Sequence, residues 1–372
     1  MTESTEPDDI ISGASGKMVP IEQILQIALE NNASDIHLKA KMQPVLRIDG
    51  NLRAISSLPA FSAESVRCLV HSLITPAQKK VLEENFEVDI SIDFPGKVRV
   101  RASIYSDIDA YGCAMRLIPL AVPSMNKLGL PAVLKTLTQN KSGLILVTGV
   151  TGAGKSTTLA AMINEINRSR ATHIYTIEDP IEFVYQPVCS LITQREVGFS
   201  TLSFARSVRS ALRADPNVLL IGEMRDAETV TAALNAAETG LLVFSTLHTG
   251  SAPKTIQRIL GMFEPKDHET IRSQLANALR AVICQQLVPL VDGGRIALHE
   301  IMVVTPSIQE AIMFNEFDRV WEYIKNGAYD GMCTMDDSLF KVYSSGLIDG
   351  DVAQAYALNK DEMSRVLRGA HS

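Results

Sequence analysis

The pattern of hydrophobic and polar positions divides the chain into two parts of different character. From Val19 onward, apolar residues recur at helical spacing and then alternate with polar residues, as in strands with one buried face. From about Ala132, continuous apolar runs (LILVT, HIYTIED, VLLIGE and LVFSTLH) alternate with helical stretches. Such runs are typical of a parallel sheet that helices cover on both faces. The pattern therefore predicts an α+β domain followed by an α/β domain.

Four segments follow from this pattern. Residues 1–17 are acidic and rich in small residues, which predicts a disordered tail. Residues 18–120 form the α+β domain, with a mostly antiparallel sheet and with helices broken at Pro76. Residues 121–131 contain two prolines and one glycine, and we interpret them as an interdomain linker. Residues 132–372 form the α/β domain and its C-terminal helices.

Composition narrows the class of protein. The 372-residue chain is 46% hydrophobic and 21% charged, as expected of a soluble globular protein. Its net charge of −7 provides no basic field, so we expect no nucleic-acid partner. Five cysteines are scattered singly without a C-x-x-C pair, which argues against a zinc or thioredoxin-like site. No apolar run approaches the roughly 18 residues that span a bilayer. We expect a cytoplasmic protein with reduced thiols.

Residues 149–157 read GVTGAGKST and fit the phosphate-binding loop G-x-x-x-x-G-K-[ST]. Glycines allow the backbone to wrap closely around a polyphosphate, with successive N–H groups directed at it. A predicted strand precedes the loop and a predicted helix follows, so the phosphate would lie at a helix N-terminus. We predict that the chain binds a nucleoside triphosphate through these residues: Gly149, Thr151, Gly152, Ala153, Gly154, Lys155, Ser156 and Thr157.

Three further stretches that end predicted strands carry candidate catalytic residues. Glu223 ends NVLLIGE, where an acid can hold Mg²⁺ or polarise a nucleophile; a surface glutamate in a turn is the alternative. TIEDPIEF contains Glu178, Asp179 and Glu182, and the spacing does not indicate which of them is the base. His248 ends LVFSTLH beside the expected γ-phosphate, where it is either structural or functional.

Three arginines stand out in the first domain. Arg99 and Arg101 lie on one face of a predicted strand, and Arg116 lies on a later strand. Taken alone, arginines in such positions are more often solvated than bound to a ligand.

Four ordered motifs resemble those of the secretion ATPases, and within them the PilT-like type IV pilus retraction ATPases. They are GVTGAGKSTT (Walker A), YTIEDPIEFV (Asp box), NVLLIGEMRDAETV (Walker B) and STLHTGSAPKTIQRI (His box). ASDIHLK and HEIM are also typical of this family, and the resemblance extends from about Val19 to Gly369. It implies an N-terminal PAS-like domain of the α+β class and a RecA-like P-loop NTPase core of the α/β class. It also implies a homohexamer that binds ATP between subunits.

The resemblance assigns roles to the candidate residues. Lys155 and Ser156 would bind phosphate and Mg²⁺, and Glu223 would be the Walker B acid and a further metal ligand. Glu182 would be the base that activates water, and His248 would sense the γ-phosphate. The remaining matches are the arginines that would reach the phosphates from the N-terminal domain: Arg99, Arg101 and Arg116. An arginine delivered by domain closure stabilises the charge that develops in phosphoryl transfer.

The implied function is hydrolysis of Mg-ATP by a hexamer that drives type IV pilus retraction, and hence twitching motility. The implied partners are other copies of the chain, an inner-membrane platform protein of the PilC type and a second pilus ATPase. The protein would then be cytoplasmic and peripherally associated with the inner membrane.

Several positions depart from the retraction ATPase pattern. Leu241 stands where these ATPases usually carry a histidine, and Asp109 stands where a third N-domain arginine is expected. Ala153 replaces the Walker A serine, which changes no backbone ligand. The retraction signature AIRNLIRE corresponds to PSIQEAIMFNEF (residues 306–317), which lacks both arginines. A PilU-like accessory protein fits these departures as well as a retraction motor does.

Other functions stay open at the level of sequence. A DotB-like motor, or another type II or type IV secretion ATPase, is the main alternative. Assembly ATPases usually carry an additional N-terminal domain and a four-cysteine zinc module, and we expect neither here. A ring scaffold that binds ATP without hydrolysing it is an alternative of another class. A DNA motor with a RecA-like core is disfavoured by the charge and by the lack of a basic stripe with interleaved aromatic residues.

Overall fold

The computed structural model describes residues 19–48, 50–108, 110–118 and 122–369. The chain divides into two compact units, Met1–Leu120 and Ala121–Ser372. The predicted tail of residues 1–17 and Asp109 lie outside the described residues.

The first unit is built around an antiparallel sheet. Its strand order is β3-β2-β1-β6-β5-β4, and each neighbouring pair is antiparallel. The described elements are, in chain order: α1 (Ile21–Glu30), β1 (Asp35–Leu38), β2 (Val45–Ile48), β3 (Asn51–Ala54), α2 (Ala63–Leu73), α3 (Pro76–Asn85), β4 (Glu87–Phe94), β5 (Val98–Ser106) and β6 (Tyr111–Ile118).

Local sequence explains the helices of the first unit. Helix α1 buries Ile21, Ile24, Leu25 and Ala28, whose spacing places them on one face of a helix. Helix α3 begins with Pro76 behind the capping residue Thr75, and Gln78 completes a capping box there. The predicted break at Pro76 is thus the start of a second helix.

The two faces of this sheet differ in polarity. In β5, Val98, Val100, Ala102 and Ile104 are buried in the core, whereas the residues between them point to the opposite face. Because side chains alternate along a strand, that opposite face carries Arg99 and Arg101.

The second unit contains a seven-stranded sheet of order β13-β12-β7-β11-β10-β8-β9. All its neighbouring pairs are parallel except β12 and β13. Two short 3₁₀ turns also occur, at Pro265–Asp267 and Ala328–Asp330. The other described elements are α4 (Ala132–Leu137), β7 (Gly143–Thr148), α5 (Lys155–Ser169), β8 (His173–Glu178), β9 (Leu191–Glu196), α6 (Phe204–Ala211), β10 (Val218–Ile221), α7 (Ala227–Glu238), β11 (Leu242–Leu247), α8 (Ala252–Leu260), α9 (His268–Ala278), β12 (Leu279–Pro289), β13 (Arg295–Val303), α10 (Pro306–Met313), α11 (Phe317–Asn326), α12 (Met335–Ser344), α13 (Gly350–Tyr356) and α14 (Lys360–Leu367).

The parallel sheet confirms the predicted α/β class. Every residue of β7, β10 and β11 is buried, as continuous apolar runs require. Separate hydrophobic clusters pack on its two faces, one including α5 and the other including α7 and α8. The sequence analysis did not identify β9, β12 or β13 as strands.

The parallel register brings the sequence motifs together. Strands β7, β8, β10 and β11 end at Thr148, Glu178, Ile221 and Leu247, so their carboxyl ends meet along one edge. In open α/β sheets, ligands bind outside this edge.

Residues 122–130, within the predicted linker, join the core of the second unit. Met125 is buried, and Val122, Leu128 and Leu130 pack against the cluster that also contains Leu134.

Within the described residues, no helix is both long enough and apolar enough to cross a bilayer.

Candidate nucleotide-binding site

The loop between β7 and α5 adopts a conformation that depends on its glycines. Gly149, Gly152 and Gly154 have φ angles of 147°, 81° and 84°. Side-chain-bearing residues rarely adopt such angles. At Gly149 a Cβ would also lie 2.3 Å from the carbonyl oxygen of Gln285, too close for any other residue. A Cβ on Gly152 would meet no atom within 4 Å, so the constraint there is conformational alone.

Lys155 is the first residue of α5 and is buried, with 9% of its surface exposed. Its ammonium donates hydrogen bonds to the carbonyl oxygens of Gly149 (2.9 Å) and Val150 (3.1 Å). Burial lowers the pKa of Lys155, and the carboxylates of Glu223 and Glu182 act against that shift. Both predicted acids therefore lie close enough to the ammonium to influence its charge.

The rest of the predicted loop lies around this lysine. Ala153 is buried, Thr151 is exposed, and Ser156 and Thr157 are half-buried in the first turn of α5. The N-terminus of this 15-residue helix, with its free N–H groups and positive dipole end, suits a phosphate group.

Glu223 and His248 follow neighbouring strands and are brought into contact. The Nε2 atom of His248 lies 3.3 Å from Oε1 of Glu223, and Arg225 donates from Nε to Oε2 at 2.8 Å. The Glu223 side chain is only 19% exposed, whereas that of His248 is 45% exposed. The carboxylate is thus held between two side chains at the end of β10.

The acid-rich loop after β8 divides its carboxylates between two environments. Glu178 is buried and accepts hydrogen bonds from the Thr176 hydroxyl (2.7 Å), the Gln194 amide (3.3 Å) and the Glu182 backbone N–H (3.3 Å). Burial raises the pKa of Glu178 to about 7, although these hydrogen bonds lower it. Glu182 and Asp179 are exposed. Glu178 therefore positions the loop through hydrogen bonds from the buried side. The two exposed acids, Asp179 and Glu182, are the candidates for contact with substrate.

The three arginines lie on the polar face of the first unit. They pair with acids on the same face: Arg99 with Asp93 (3.3 Å), Arg101 with Asp89 (3.9 Å) and Arg116 with Asp35 (3.0 Å). Arg101 and Arg116 are direct neighbours across β5 and β6. The structure thus places all three arginines on one face of the sheet and gives each an acidic partner within its own unit.

The donors near the loop fit a magnesium ion that the substrate helps to hold. Among the described residues, no group of three or more histidine, cysteine, aspartate or glutamate side chains forms a metal cluster. The Ser156 hydroxyl and the Glu223 carboxylate would supply oxygen ligands, which Mg²⁺ prefers. Mg²⁺ usually takes one or two protein ligands together with phosphate oxygens and water, so two such residues are sufficient.

Two residues of this site were not singled out from the sequence. Arg225 is part of GEMRD, but its contact with Glu223 requires a particular turn after β10. Gln285 lies on β12 and hydrogen-bonds to the phosphate-binding loop. No spacing indicates such a contact, because the hydrogen bond joins residues 132 positions apart.

The departures noted in the sequence have different structural settings. Leu241 is half-buried and packs against the core of the second unit. Residues 306–317 comprise helix α10 and the turn that leads into α11, where Met313 and Phe314 are exposed.

Comparison with known proteins agrees with this geometry. A family model described as "Type II/IV secretion system protein" matches residues 13–335. The chain is 43% identical over 337 residues to the type IV pilus retraction ATPase PilT of Pseudomonas aeruginosa, covering 91% of this chain and 98% of that protein. It is 45% identical over 322 residues to a twitching motility protein of Neisseria gonorrhoeae, covering 86% of each. It is 34% identical over 348 residues to the type IV pilus ATPase PilU of Pseudomonas aeruginosa, covering 93% and 91%.

Solved structures give the same result. A crystal structure of the pilus retraction motor PilT with bound ADP superposes with a TM-score of 0.88 at 41% identity, covering 93% of this chain and 99% of that one. The ATPase DotB of Legionella pneumophila gives a TM-score of 0.80 at 28% identity, covering 92% and 97%. These matches extend over both units, and the chain belongs to the type II/IV secretion system protein family.

Proposed function

We propose that this protein is an ATPase of the PilT type, which hydrolyses Mg-ATP to drive type IV pilus retraction and twitching motility. The observation that carries the proposal is the convergence at one sheet edge of a phosphate-binding loop, its buried lysine and two carboxylates that act on that lysine. The identity of 43% to PilT over nearly the full length of both chains supports the same activity.

We assign the chemistry to residues as follows. The N–H groups of the loop and Lys155 bind the polyphosphate. Mg²⁺, held with the help of Ser156 and Glu223, would neutralise phosphate charge. Glu182 accepts a proton from the attacking water, whose oxygen bonds to the γ-phosphorus as the bond to ADP breaks. His248, which contacts Glu223, would sense whether a γ-phosphate is present.

We assign the three arginines of the first unit to the same reaction. Arg99, Arg101 and Arg116 would exchange their acidic partners for phosphate oxygens within a homohexamer. This proposal includes the domain division into residues 18–120, 121–131 and 132–372. It also includes the PAS-like character of the first domain. The platform protein of the PilC type, a second pilus ATPase and attachment to the inner membrane through the pilus machine are part of it as well.

Steady-state ATPase activity, with assembly followed by light scattering, tests the proposal. We expect turnover by an assembled wild type, none with Lys155→Ala, and none with Glu182→Gln although the latter still binds ATP. Asp179→Asn is the matched control, because Asp179 is an exposed acid in the same loop. If Asp179→Asn abolishes turnover and Glu182→Gln does not, the base is Asp179. A ring that binds ATP without turnover would instead be a scaffold.

One observation favours a second candidate, an accessory role like that of PilU. The segment at residues 306–317 lacks the arginines of the retraction signature, and PilU is itself a relative at 34% identity. Restoration of twitching in a strain that lacks its PilT, by this chain alone, supports the motor. Restoration that occurs only when a PilT is also present supports the accessory role. A DotB-like role is less favoured, since the identity to DotB is 28%.

A further inference from the structure

Gln285 makes a buried contact with the phosphate-binding loop from the neighbouring strand. Strand β12 pairs with β7 in register, so that Cys284 lies opposite Thr148 and Gln285 lies beside the first residue of the loop. The Gln285 side chain is 3% exposed. Its Nε2 donates to the carbonyl oxygen of Ala153 at 2.6 Å, and its Oε1 accepts from the hydroxyl of Thr158 at 2.7 Å.

These two hydrogen bonds join the loop to the first turn of α5. Ala153 belongs to the loop, and Thr158 lies four residues into the N-terminal part of the helix. One amide group therefore fixes both segments that surround the expected phosphate position. The backbone of Gln285 acts in addition, because its carbonyl oxygen occupies the space that a Cβ on Gly149 would need.

The contact with Ala153 determines where a loop N–H points. In a planar trans peptide, the carbonyl oxygen of one residue and the N–H of the next point in opposite directions. Because Gln285 holds the Ala153 carbonyl oxygen toward β12, the N–H of Gly154 must point away from β12. Gly154 has a φ angle of 84° and can rotate more freely than other residues, so this orientation depends on an external hydrogen bond.

We propose that Gln285 is a positioning residue for nucleotide phosphates, which orients the peptide between Ala153 and Gly154 so that its N–H is available to the polyphosphate. The inference rests on the proposed nucleotide-binding function but not on turnover. Loss of the amide would leave the buried Ala153 carbonyl without this donor, and the peptide could then turn to find another. The contribution to binding should concern the phosphates rather than the adenine base.

Binding of ADP and AMP to the full-length protein tests the proposal, measured by competition with a fluorescent ADP analogue. Gln285→Met keeps the length and the apolar stem but removes both polar atoms. We expect it to lower the preference for ADP over AMP at least about tenfold. Thr158→Val keeps the shape of Thr158 and removes only the hydroxyl that Gln285 binds, so we expect a smaller decrease in the same preference.

Gln286→Met is the matched control. Gln286 is the next residue of β12, is half-buried, and by strand alternation faces away from α5. We expect it to leave the ADP-to-AMP preference unchanged.

Two results would overturn the inference. One is a folded Gln285→Met protein that retains the wild-type preference, and the other is an equal weakening of ADP and AMP, which would indicate a purely structural role. If Gln285→Met does not fold, an unchanged preference in Thr158→Val overturns it and a selective decrease supports it. A wild type that binds ADP but does not hydrolyse ATP would contradict only the proposed ATPase function, since these measurements require binding alone.

Discussion

The two sheets of this protein use polar side chains in opposite ways. On the polar face of the first unit, each ion pair has one side chain that is mostly in water: Asp93 is 68% exposed, Asp89 62% and Arg116 69%. At the carboxyl edge of the second sheet, Gln285, Glu178 and Lys155 are 9% exposed or less, and each has defined hydrogen-bond partners. Exposed ion pairs stabilise a fold by about 0–1 kcal/mol, whereas an unsatisfied buried polar group costs about 1–3 kcal/mol.

This contrast in exposure indicates which side chains can change partners. An arginine in water can exchange an aspartate for a phosphate at little cost in folding free energy. A buried glutamine or glutamate cannot do so without disturbing the core around it. The first sheet is therefore suited to residues that move to a ligand, and the second to residues that hold the site in place.

The largest effect should follow a change in the buried edge of the second sheet. Gly149→Ala introduces a Cβ only 2.3 Å from a backbone oxygen, at a φ angle of 147°. We expect the free energy of unfolding of the second unit to fall by about 2–4 kcal/mol, and nucleotide binding to be lost. The sequence has one tryptophan, Trp321 in α11, so its fluorescence during urea unfolding reports on this unit.

Gly152→Ala is the control for Gly149→Ala, because the new Cβ would meet no atom within 4 Å. We expect a loss of only about 1 kcal/mol from its φ of 81°. Equal losses in the two variants would show that the contact with Gln285 does not constrain the loop.

A second effect concerns two buried titratable groups, Glu178 at the end of β8 and His299 in β13, whose contributions to stability change in opposite directions with pH. Burial raises the pKa of Glu178 from 4.5 to about 7, so its contribution to stability falls as the pH rises through this range. Burial lowers the pKa of His299 from 6.5 to about 4, so its contribution falls as the pH drops through that range. In the wild type the two contributions offset each other over most of the interval.

Single substitutions should expose each contribution. Relative to wild type, Glu178→Gln should make unfolding free energy rise more steeply with pH between about 4.5 and 7. His299→Gln should make it rise less steeply, or fall, between about 4 and 6.5. Each difference should reach roughly 3 kcal/mol across its range, since one pKa unit corresponds to about 1.4 kcal/mol. Urea unfolding followed by Trp321 fluorescence at several pH values measures both, and parallel pH curves for all three proteins would contradict the assignment.

The smallest effect on folding should follow a change on the exposed face. We expect Arg116→Ala to change the free energy of unfolding of the first unit by less than about 1 kcal/mol, because the Arg116 side chain is 69% exposed and Asp35 keeps Arg47 and Ser34 as partners. Far-UV circular dichroism during urea unfolding, at low and high salt, measures this change.

The same variant should have a much larger effect on turnover. If Arg116 reaches the phosphates in the assembled enzyme, ATPase activity should fall at least about 100-fold while the fold is retained. If, expressed as free energies, the loss of stability exceeds the loss of activity, the pair of Arg116 with Asp35 is structural. The two sheets would then not differ in the way described above.

Much of the fold followed from patterns that are local in the chain. Alternation in β5 and the apolar runs of β7, β10 and β11 predicted strands correctly, because burial on one or both faces leaves a direct trace in the sequence. The β12–β13 hairpin was missed because its first strand continues directly from helix α9, and the run ANALRAVICQQLVP has no turn residue to separate them.

The sequence alone predicted the phosphate-binding loop, because its glycines, its lysine and the start of the helix that follows lie within about ten residues of one another. It also placed Glu223, Glu182 and His248 at the ends of strands, which is sufficient to bring them to one edge of a parallel sheet. Three features could be seen only in the folded protein: Gln285 hydrogen-bonds to the loop, His248 contacts Glu223, and Glu178 is buried while Glu182 is exposed. Those features arise from packing between distant segments, since hydrogen-bond geometry and desolvation depend on which groups surround a side chain and not on its neighbours in sequence.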